Sequence, residues 1–242
     1  MNGSSRSIAI KKNIIASLFL KGISILVSLQ VVPLTINYIN PTRYGIWLTL
    51  SSIVAWLSYF DLGFAHGFRN RFAEAVAKGD MQLAREYVST TYVVLSLLFS
   101  SVFLIAIVVN HFVDWSAILN VDAAYSSELN IVFGILAFFF CLNIVASIFT
   151  TMLTANQKPA LASLIQTLGQ VFGFICIYIL TKTVPGNLDV LAFAFSGVPC
   201  FLLIIISIGM FLSGRYRHLS PSFHFVHFSL TKKIVGLGGQ FF

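Results

Sequence analysis

Six apolar stretches, at 13–36, 44–64, 90–109, 131–151, 160–180 and 191–212, recur along the chain with scarcely a charge inside them. A helix needs about 20 such residues to cross the hydrocarbon core of a bilayer. Charged residues make up 10% of the 242 and hydrophobic ones 57%, whereas an ordinary soluble domain carries about 25% charge. A water-facing surface cannot be covered with so few charges. The expected fold class is therefore an all-α membrane protein, with six transmembrane helices in one bundle. A further apolar run opens at Ile234 and reaches Phe242 with roughly half the length of a span, so it is expected to be the start of a seventh helix, cut short. The division that follows is a bundle at 1–212, an interfacial linker at 213–233 and the truncated helix at 234–242.

The first run is preceded by Arg6, Lys11 and Lys12, as a secretory leader would be. It is too long for one, contains Lys21 and Pro33, and ends in Tyr38-Ile39-Asn40-Pro41 without small residues at a cleavage site. It reads as an uncleaved first helix. Three cysteines, Cys141, Cys176 and Cys200, each sit inside an apolar run. Their odd number and wide spacing support neither a disulfide framework nor a zinc site.

Direction follows from Lys and Arg, which favour cytoplasmic loops. Of the 15 such residues, only Arg43 and Lys182 fall on one set of connections, and Lys21 lies within a span. The rest (Arg6, Lys11, Lys12, Arg69, Arg71, Lys78, Arg85, Lys158, Arg215, Arg217, Lys232 and Lys233) fall on the other set. Asp114, Asp122, Glu128 and Asp189 accompany Arg43 and Lys182. The expected N-terminus is cytoplasmic. The net charge of +7 is accounted for by orientation, so no nucleic-acid partner is expected. Tyr44, Trp47, Trp115 and Tyr178 near one set of span ends, and Tyr87, Tyr92 and Tyr216 near the other, fit interfacial anchoring.

Polar side chains inside hydrocarbon are costly and so point to function. Lys21 lies about 12 Å into the first helix at 1.5 Å per residue, on a stripe with Ser17, Ser24, Ser28 and Thr35. Asp61, near the cytoplasmic end of the second span, is placed to pair with it. Ser163, Gln166 and Gln170 share a face of the fifth span, and Asn143 and Ser147 one of the fourth. Lys21, Asp61, Asn143, Gln166 and Gln170 are thus the candidate cavity residues, and the lysine, asparagine and glutamines among them are expected to form an inward-facing, weakly cationic tier; interhelical hydrogen bonding is the alternative use of the amides. Gly169 and Gly173 form a G-x-x-x-G, read as close helix packing. Pro33 and Pro199 are expected to bend their helices.

Between the second and third spans, 66–90 reads as a short amphipathic helix, with Glu74 and Lys78 at i,i+4 and a break at Gly79-Asp80. Arg69 and Arg71 there are expected to meet lipid phosphates or anchor topology. The alternating Phe223-His224-Phe225-Val226-His227-Phe228 is expected on the cytoplasmic membrane surface. No carboxylate or cysteine joins His218, His224 and His227 in sequence, so no metal is expected. Neither a phosphate-binding loop nor a nucleophile elbow occurs, and the longest outer connection, 110–130, is too short for a catalytic domain. Neither an enzymatic activity nor a cofactor is expected.

The words Tyr44-Gly45-Ile46-Trp47, Asp61-Leu62-Gly63-Phe64, Phe68-Arg69-Asn70-Arg71 and Ala73-Glu74-Ala75-Val76-Ala77-Lys78-Gly79-Asp80 resemble bacterial polysaccharide (O-antigen type) flippases of the multidrug/oligosaccharidyl-lipid/polysaccharide exporter superfamily. Pro221-Ser222-Phe223 and 236–242 look like that family's approach to its seventh helix. The resemblance implies an exporter of about 12 to 14 helices, whose two six-helix bundles face each other around a cavity as internal repeats. This chain would be the first bundle. The implied activity is alternating-access transfer of a polyprenyl-diphosphate-linked oligosaccharide from the inner to the outer leaflet of a bacterial inner membrane. The implied partners are that substrate, membrane lipids and other polysaccharide-assembly proteins. Three other readings stay open, one of them a purely structural membrane partner in which the polar tier is interhelical glue alone. A multidrug extruder of the same superfamily would be expected to bury carboxylates for its cationic cargo. An integral-membrane polysaccharide-assembly enzyme would need acids or basic clusters on a large outer loop.

Overall fold

The computed structural model describes the backbone of residues 3–61 and 63–238 and the side chains of 13–59 and 63–235. Ten helices make up the described chain, with no strand among the described residues: α1 Gly3–Ile39, α2 Pro41–Ala55, α3 Phe64–Ala77, α4 Met81–Phe112, α5 Trp115–Leu119, α6 Ser126–Ala146, α7 Ile148–Ala155, α8 Pro159–Thr183, α9 Leu188–Leu212 and α10 Ser229–Gly238. Their ends carry the residues that helix ends require. Asn40, at φ 74°, accepts from the Arg43 amide at 3.0 Å, and Pro41 takes the first helical position, where a missing N–H costs nothing. Asp80 caps α4 through the Leu83 amide at 2.9 Å, after a left-handed Gly79 at φ 76°. Asn187 caps α9 through the amides of Asp189 and Val190. Asp114 caps α5; the Ser116 hydroxyl and the Ala117 amide together hold its carboxyl below the usual carboxylate range.

Five helical stretches are long and apolar enough to cross a membrane: Asn13–Ile39, Met81–Phe112, Ala123–Ala155, Pro159–Thr183 and Leu188–Leu212. The stretch expected as a second span is broken. α2 alone rises only about 22 Å at 1.5 Å per residue. A 3₁₀ turn over Trp56–Asp61 then draws the chain out further, and α3 leaves at 49° to the first part. Counted as one bent unit, Pro41–Tyr59 with Phe64–Ala77 is a sixth span. Large apolar side chains stand exposed along the outer sides of these helices, among them Leu18, Leu29, Ile105, Phe112, Ile205 and Leu212. A water-soluble monomer rarely exposes so continuous an apolar surface. The chain is a membrane protein.

Helices α1, α8, α9, α6 and α4 pack side by side in that order as a curved wall. α2 leans on α6 at one end of its inner side, and α3 on α4 and α7 at the other. Two apolar cores follow, one around Trp47, Leu50, Trp115, Leu129 and Leu188, the other around Phe68, Phe72, Phe149, Tyr216 and Ile234. Polar staples close both ends. At the first, Arg43 meets Glu128 at 3.3 Å and the Gly186 carbonyl at 3.2 Å, tying three connections together. At the second, Arg85 donates to the Ser220 carbonyl at 2.9 Å and lies 4.2 Å over the Phe225 ring, while Lys158 donates to Tyr216 at 3.0 Å. The connection after α9 is therefore bound to α4, with Ser222 and His227 amides donating to the Ser89 and Thr90 hydroxyls. The basic loops and the acidic ones lie at opposite ends of the bundle.

α10 starts at Ser229, ahead of the apolar run at Ile234, and rests on α3. The two backbones approach at Gly67, where a Cβ would collide with the Ile234 carbonyl. Gly67→Ala is expected to lower the detergent-solubilised protein's stability by about 1–3 kcal/mol through overpacking. Gly22→Ala, with open space around its site, is expected to be neutral or to gain up to about 1 kcal/mol from helix propensity. Melting curves of the two variants check this; equal melting temperatures would count against the α3–α10 contact.

Candidate functional site

The placement of the polar span residues depends on how α1 meets α8. Three contacts fix it: Asn13 Nδ2 donates to the Gln157 carbonyl at 3.4 Å, Ser24 and Thr167 hydroxyls bond at 3.1 Å, and Tyr38 donates to the Pro185 carbonyl at 3.2 Å. Both chains of partners ascend together, so the two helices run parallel and Lys21 stands level with Leu164. The stripe expected on α1 divides here. Ser24 and the buried Thr35 lie on the packed side, whereas Lys21 and Ser28 are exposed. At 100° per residue, Lys21 and Ser28 lie roughly 40–60° to one side of Ser24, and Ser163, Gln166 and Gln170 roughly 40–100° to the other side of Thr167. On parallel helices those two flanks face the same way. Ser28 and Gln170 accordingly line one pocket.

The opposite flank of α8 is also exposed and wholly different. Leu164, Phe172, Ile175 and Ile179 occupy it, a surface suited to acyl chains. α8 thus has one polar and one apolar open face, with Gly169 and Gly173 turned to α9, where Pro199 comes within 3.2 Å of a Cβ built on Gly169. The G-x-x-x-G works as close packing.

The polar side opens into several pockets. Gln166 and Ser163 share one of about 320 Å³ with His66 and Arg69 of α3 and Thr150, Thr151 and Thr154 of α7. Gln170 lines another of about 320 Å³ with Ser28, Tyr44, Trp47 and Phe195. Asn143 lines a third, of about 240 Å³, with Ser51, Phe139, Phe195 and Pro199. The amides expected as one tier therefore stand in three different pockets. Ser147, expected on one face with Asn143, falls at the break between α6 and α7 and lines a separate, smaller pocket with Phe68 and Thr151. Lys21, Asn143, Gln166 and Gln170 are all exposed, and none makes a side-chain hydrogen bond to another described residue. The side chain of Asp61, and with it the expected Lys21–Asp61 pair, lies outside the described residues.

The two arginines read alike in sequence have different roles here. Arg71 is engaged, donating to the Lys233 carbonyl at 3.3 Å and to Glu74 at 3.0 Å. Arg69 is exposed at the pocket wall. His66 and the threonines of α7 were not singled out from sequence; the cluster Thr150-Thr151-Met152-Leu153-Thr154 closing an apolar run was the available signal. Trp47 and Ser51 were also missed as a pair. They lie one turn apart on α2, and both the indole N–H and the Ser51 hydroxyl are buried without a hydrogen-bond partner. Such orphaned donors cost about 1–3 kcal/mol each. Among the described residues, no carboxylate lines any of these pockets, and every described Asp or Glu lies at one or other end of the bundle.

The fold and site together define a helical membrane protein whose inner side sets the basic side chains of Lys21 and Arg69 and three exposed amides among otherwise largely apolar residues. No protein-family model matches the sequence, and neither a curated protein nor a solved structure matches the chain.

Water contact on only one flank of α8 is the testable consequence. With Cys141, Cys176 and Cys200 replaced by alanine, Gln166→Cys and Ser163→Cys are expected to react with a charged, membrane-impermeant thiol reagent at least tenfold faster than Leu164→Cys and Ile175→Cys, because thiolate forms poorly in hydrocarbon. Equal rates on both flanks would remove the distinction.

Proposed function

We propose that this chain is the first bundle of a two-bundle exporter that moves a polyprenyl-diphosphate-linked oligosaccharide across a bacterial inner membrane by alternating access. In this reading six spans cross the membrane, the bent α2–α3 unit counting as the second, and the N-terminus is cytoplasmic. The observation that carries it is the charge of the inner side. Lys21 stands level with the Ser163–Gln166 segment, and Arg69 shares a pocket with both residues, with no carboxylate among the described lining residues to neutralise them.

The chemistry follows from that arrangement. A diphosphate presents several charged acceptor oxygens, which Arg69 meets as a fork of donors and Lys21 as a point charge. Gln166, Ser163 and the α7 threonines offer neutral hydrogen bonds around them. A water-filled cavity lined this way replaces part of the diphosphate's hydration at membrane depth. The polyprenyl tail remains against apolar flanks such as that of α8. The second bundle would close the cavity, and rocking of the two repeats would expose it to each leaflet in turn. The protein supplies a path and no covalent step, so neither a catalytic group nor a cofactor is invoked. An extruder of organic cations fits this lining less well, since a cation would meet Lys21 and Arg69 with no carboxylate among the described lining residues to favour it.

The test is complementation of a bacterium that lacks its own oligosaccharide flippase, with surface polymer quantified at matched membrane levels of the full-length gene product. Polymer is expected to return, to fall about tenfold or more in Lys21→Ala and in Arg69→Ala, and to be largely retained in Lys21→Arg, since a charge-assisted hydrogen bond is worth about 1.5–3 kcal/mol. Absence of polymer, with raised tolerance to cationic drugs instead, would transfer the assignment to an extruder.

A further inference from the structure

Two pockets of the inner side are left without a role by the cationic end. They adjoin, because Phe195 and Pro199 of α9 line both. Their combined lining is largely apolar, aliphatic and aromatic, and also carries amides, with Tyr44 and Trp47 from α2, Phe195 from α9, Gln170 from α8 and Asn143 from α6. Among the described residues, no charged side chain lines either pocket. Phe195 is 37% exposed, so part of its ring is open to a ligand, while its edge-on contact with Trp47, at 4.6 Å between centroids, holds it in place.

Two features distinguish this space from a plain apolar groove. Trp47 and Ser51, on consecutive turns of α2, line these pockets, and the Trp47 N–H and the Ser51 hydroxyl are buried without a partner, Trp47 being only 5% exposed. Buried donors of this kind are ordinarily paired, so they mark places where a ligand's acceptors, after a small side-chain adjustment, would complete the network. The exposed amides of Gln170 and Asn143 each offer both a donor and an acceptor. Open aromatic rings, amides and neutral donors, without charge, suit a pyranose. Its C–H face rests on an aromatic ring, and its hydroxyls are donors and acceptors at once. An acyl chain would leave the amides unpaired, and an organic cation would find no counter-charge.

We infer that these joined pockets are a saccharide subsite, holding the sugar next to the diphosphate. The inference rests on the reading of the cargo as a lipid-linked oligosaccharide, and it adds where each part of that cargo lies. Gln166 and Gln170 are one helical turn apart, about 6 Å along α8. A diphosphate at the level of Gln166, Arg69 and Lys21 therefore places the first sugar ring at the level of Gln170, Ser28 and Phe195. Sugar recognition is built into this bundle, and neutral side chains carry it separately from the charges that hold the headgroup.

Binding of two probes to the purified full-length protein in lipid nanodiscs tests this: geranyl diphosphate and geranyl-diphosphate-linked N-acetylglucosamine. The ratio of their affinities isolates what the sugar contributes. In the wild type the sugar-bearing probe is expected to bind about tenfold more tightly, the sum of a ring contact and one or two hydrogen bonds. Phe195→Leu and Gln170→Leu are expected to bring the ratio close to one. Both positions are partly or fully exposed, so the variants are expected to fold, as melting curves will show. Trp47→Phe, which keeps a ring and removes the N–H, is expected to give an intermediate ratio. Lys21→Ala is expected to weaken both probes alike and to leave the ratio intact. A wild-type ratio near one, with geranyl diphosphate still bound, would overturn the subsite and leave the headgroup reading standing. A tenfold ratio unchanged in all three pocket variants would also overturn it. If geranyl diphosphate fails to bind while free N,N′-diacetylchitobiose binds and loses affinity in Gln170→Leu, the subsite stands and the headgroup reading falls.

Discussion

The parallel contact between α1 and α8 is the constraint on which the arrangement depends. A polar group in hydrocarbon must find a partner or water, and this one contact decides which groups find which. Ser24 and Thr167 satisfy each other at 3.1 Å. Registered by that bond, Lys21 and Ser28 of α1 and Ser163, Gln166 and Gln170 of α8 emerge on a common flank, and Leu164, Phe172, Ile175 and Ile179 of α8 emerge on the other. Gly169 and Gly173 reinforce the geometry by letting Pro199 of α9 approach closely, which holds α8 at a fixed rotation. A modest rotation of α8 would turn Gln166 and Gln170 towards acyl chains.

The bent α2–α3 unit gives that flank its shape. Because α2 ends at Ala55 and α3 departs from it at an angle, α2 covers one half of the inner side and α3 the other. The half under α2 is aromatic and neutral; the half beside α3 contains Arg69 and His66 with the α7 threonines. The inner side is therefore divided along its length into a charged region and an uncharged, ring-lined one. That division follows from where the break falls, and it is the basis for assigning a headgroup to one region and a sugar to the other.

Much of this was legible in the sequence because hydrocarbon is an exacting solvent. The apolar stretches at 90–109, 160–180 and 191–212 each fall within one helix, 131–151 runs over α6 and α7 across their break at Ser147, and Asn40, Asp80 and Asn187 cap the helices that follow them. The turn at Gly79-Asp80 and the close packing at Gly169 and Gly173 were equally readable. The second stretch was not, since an apolar run carries no mark of a 3₁₀ turn when no glycine or proline interrupts it between Ile46 and Leu62. Nor could periodicity show which of two neighbouring arginines is engaged. Arg71 is held by the Lys233 carbonyl from α10, a contact between residues far apart in the chain, while Arg69, two residues earlier, faces the pocket. Asn143 was placed with the glutamines by depth alone, but α9 stands between α6 and α8 and gives it a different pocket. Trp47 and Ser51 look like an interfacial aromatic and an ordinary helix serine until their unpaired donors are seen.

Direct observation of leaflet transfer is the most decisive measurement. The full-length protein would be reconstituted in vesicles with a fluorescent, short-chain polyprenyl-diphosphate disaccharide, and the probe remaining in the outer leaflet would be followed by its quenching with a membrane-impermeant reductant. Protein-dependent quenching of the inner-leaflet pool, slowed by Arg69→Ala and absent for a fluorescent phosphatidylcholine, is the predicted result. A pool that stays protected from the reductant, or transfer of phosphatidylcholine at the same rate, would contradict the claim that this cationic inner side serves a lipid-linked oligosaccharide.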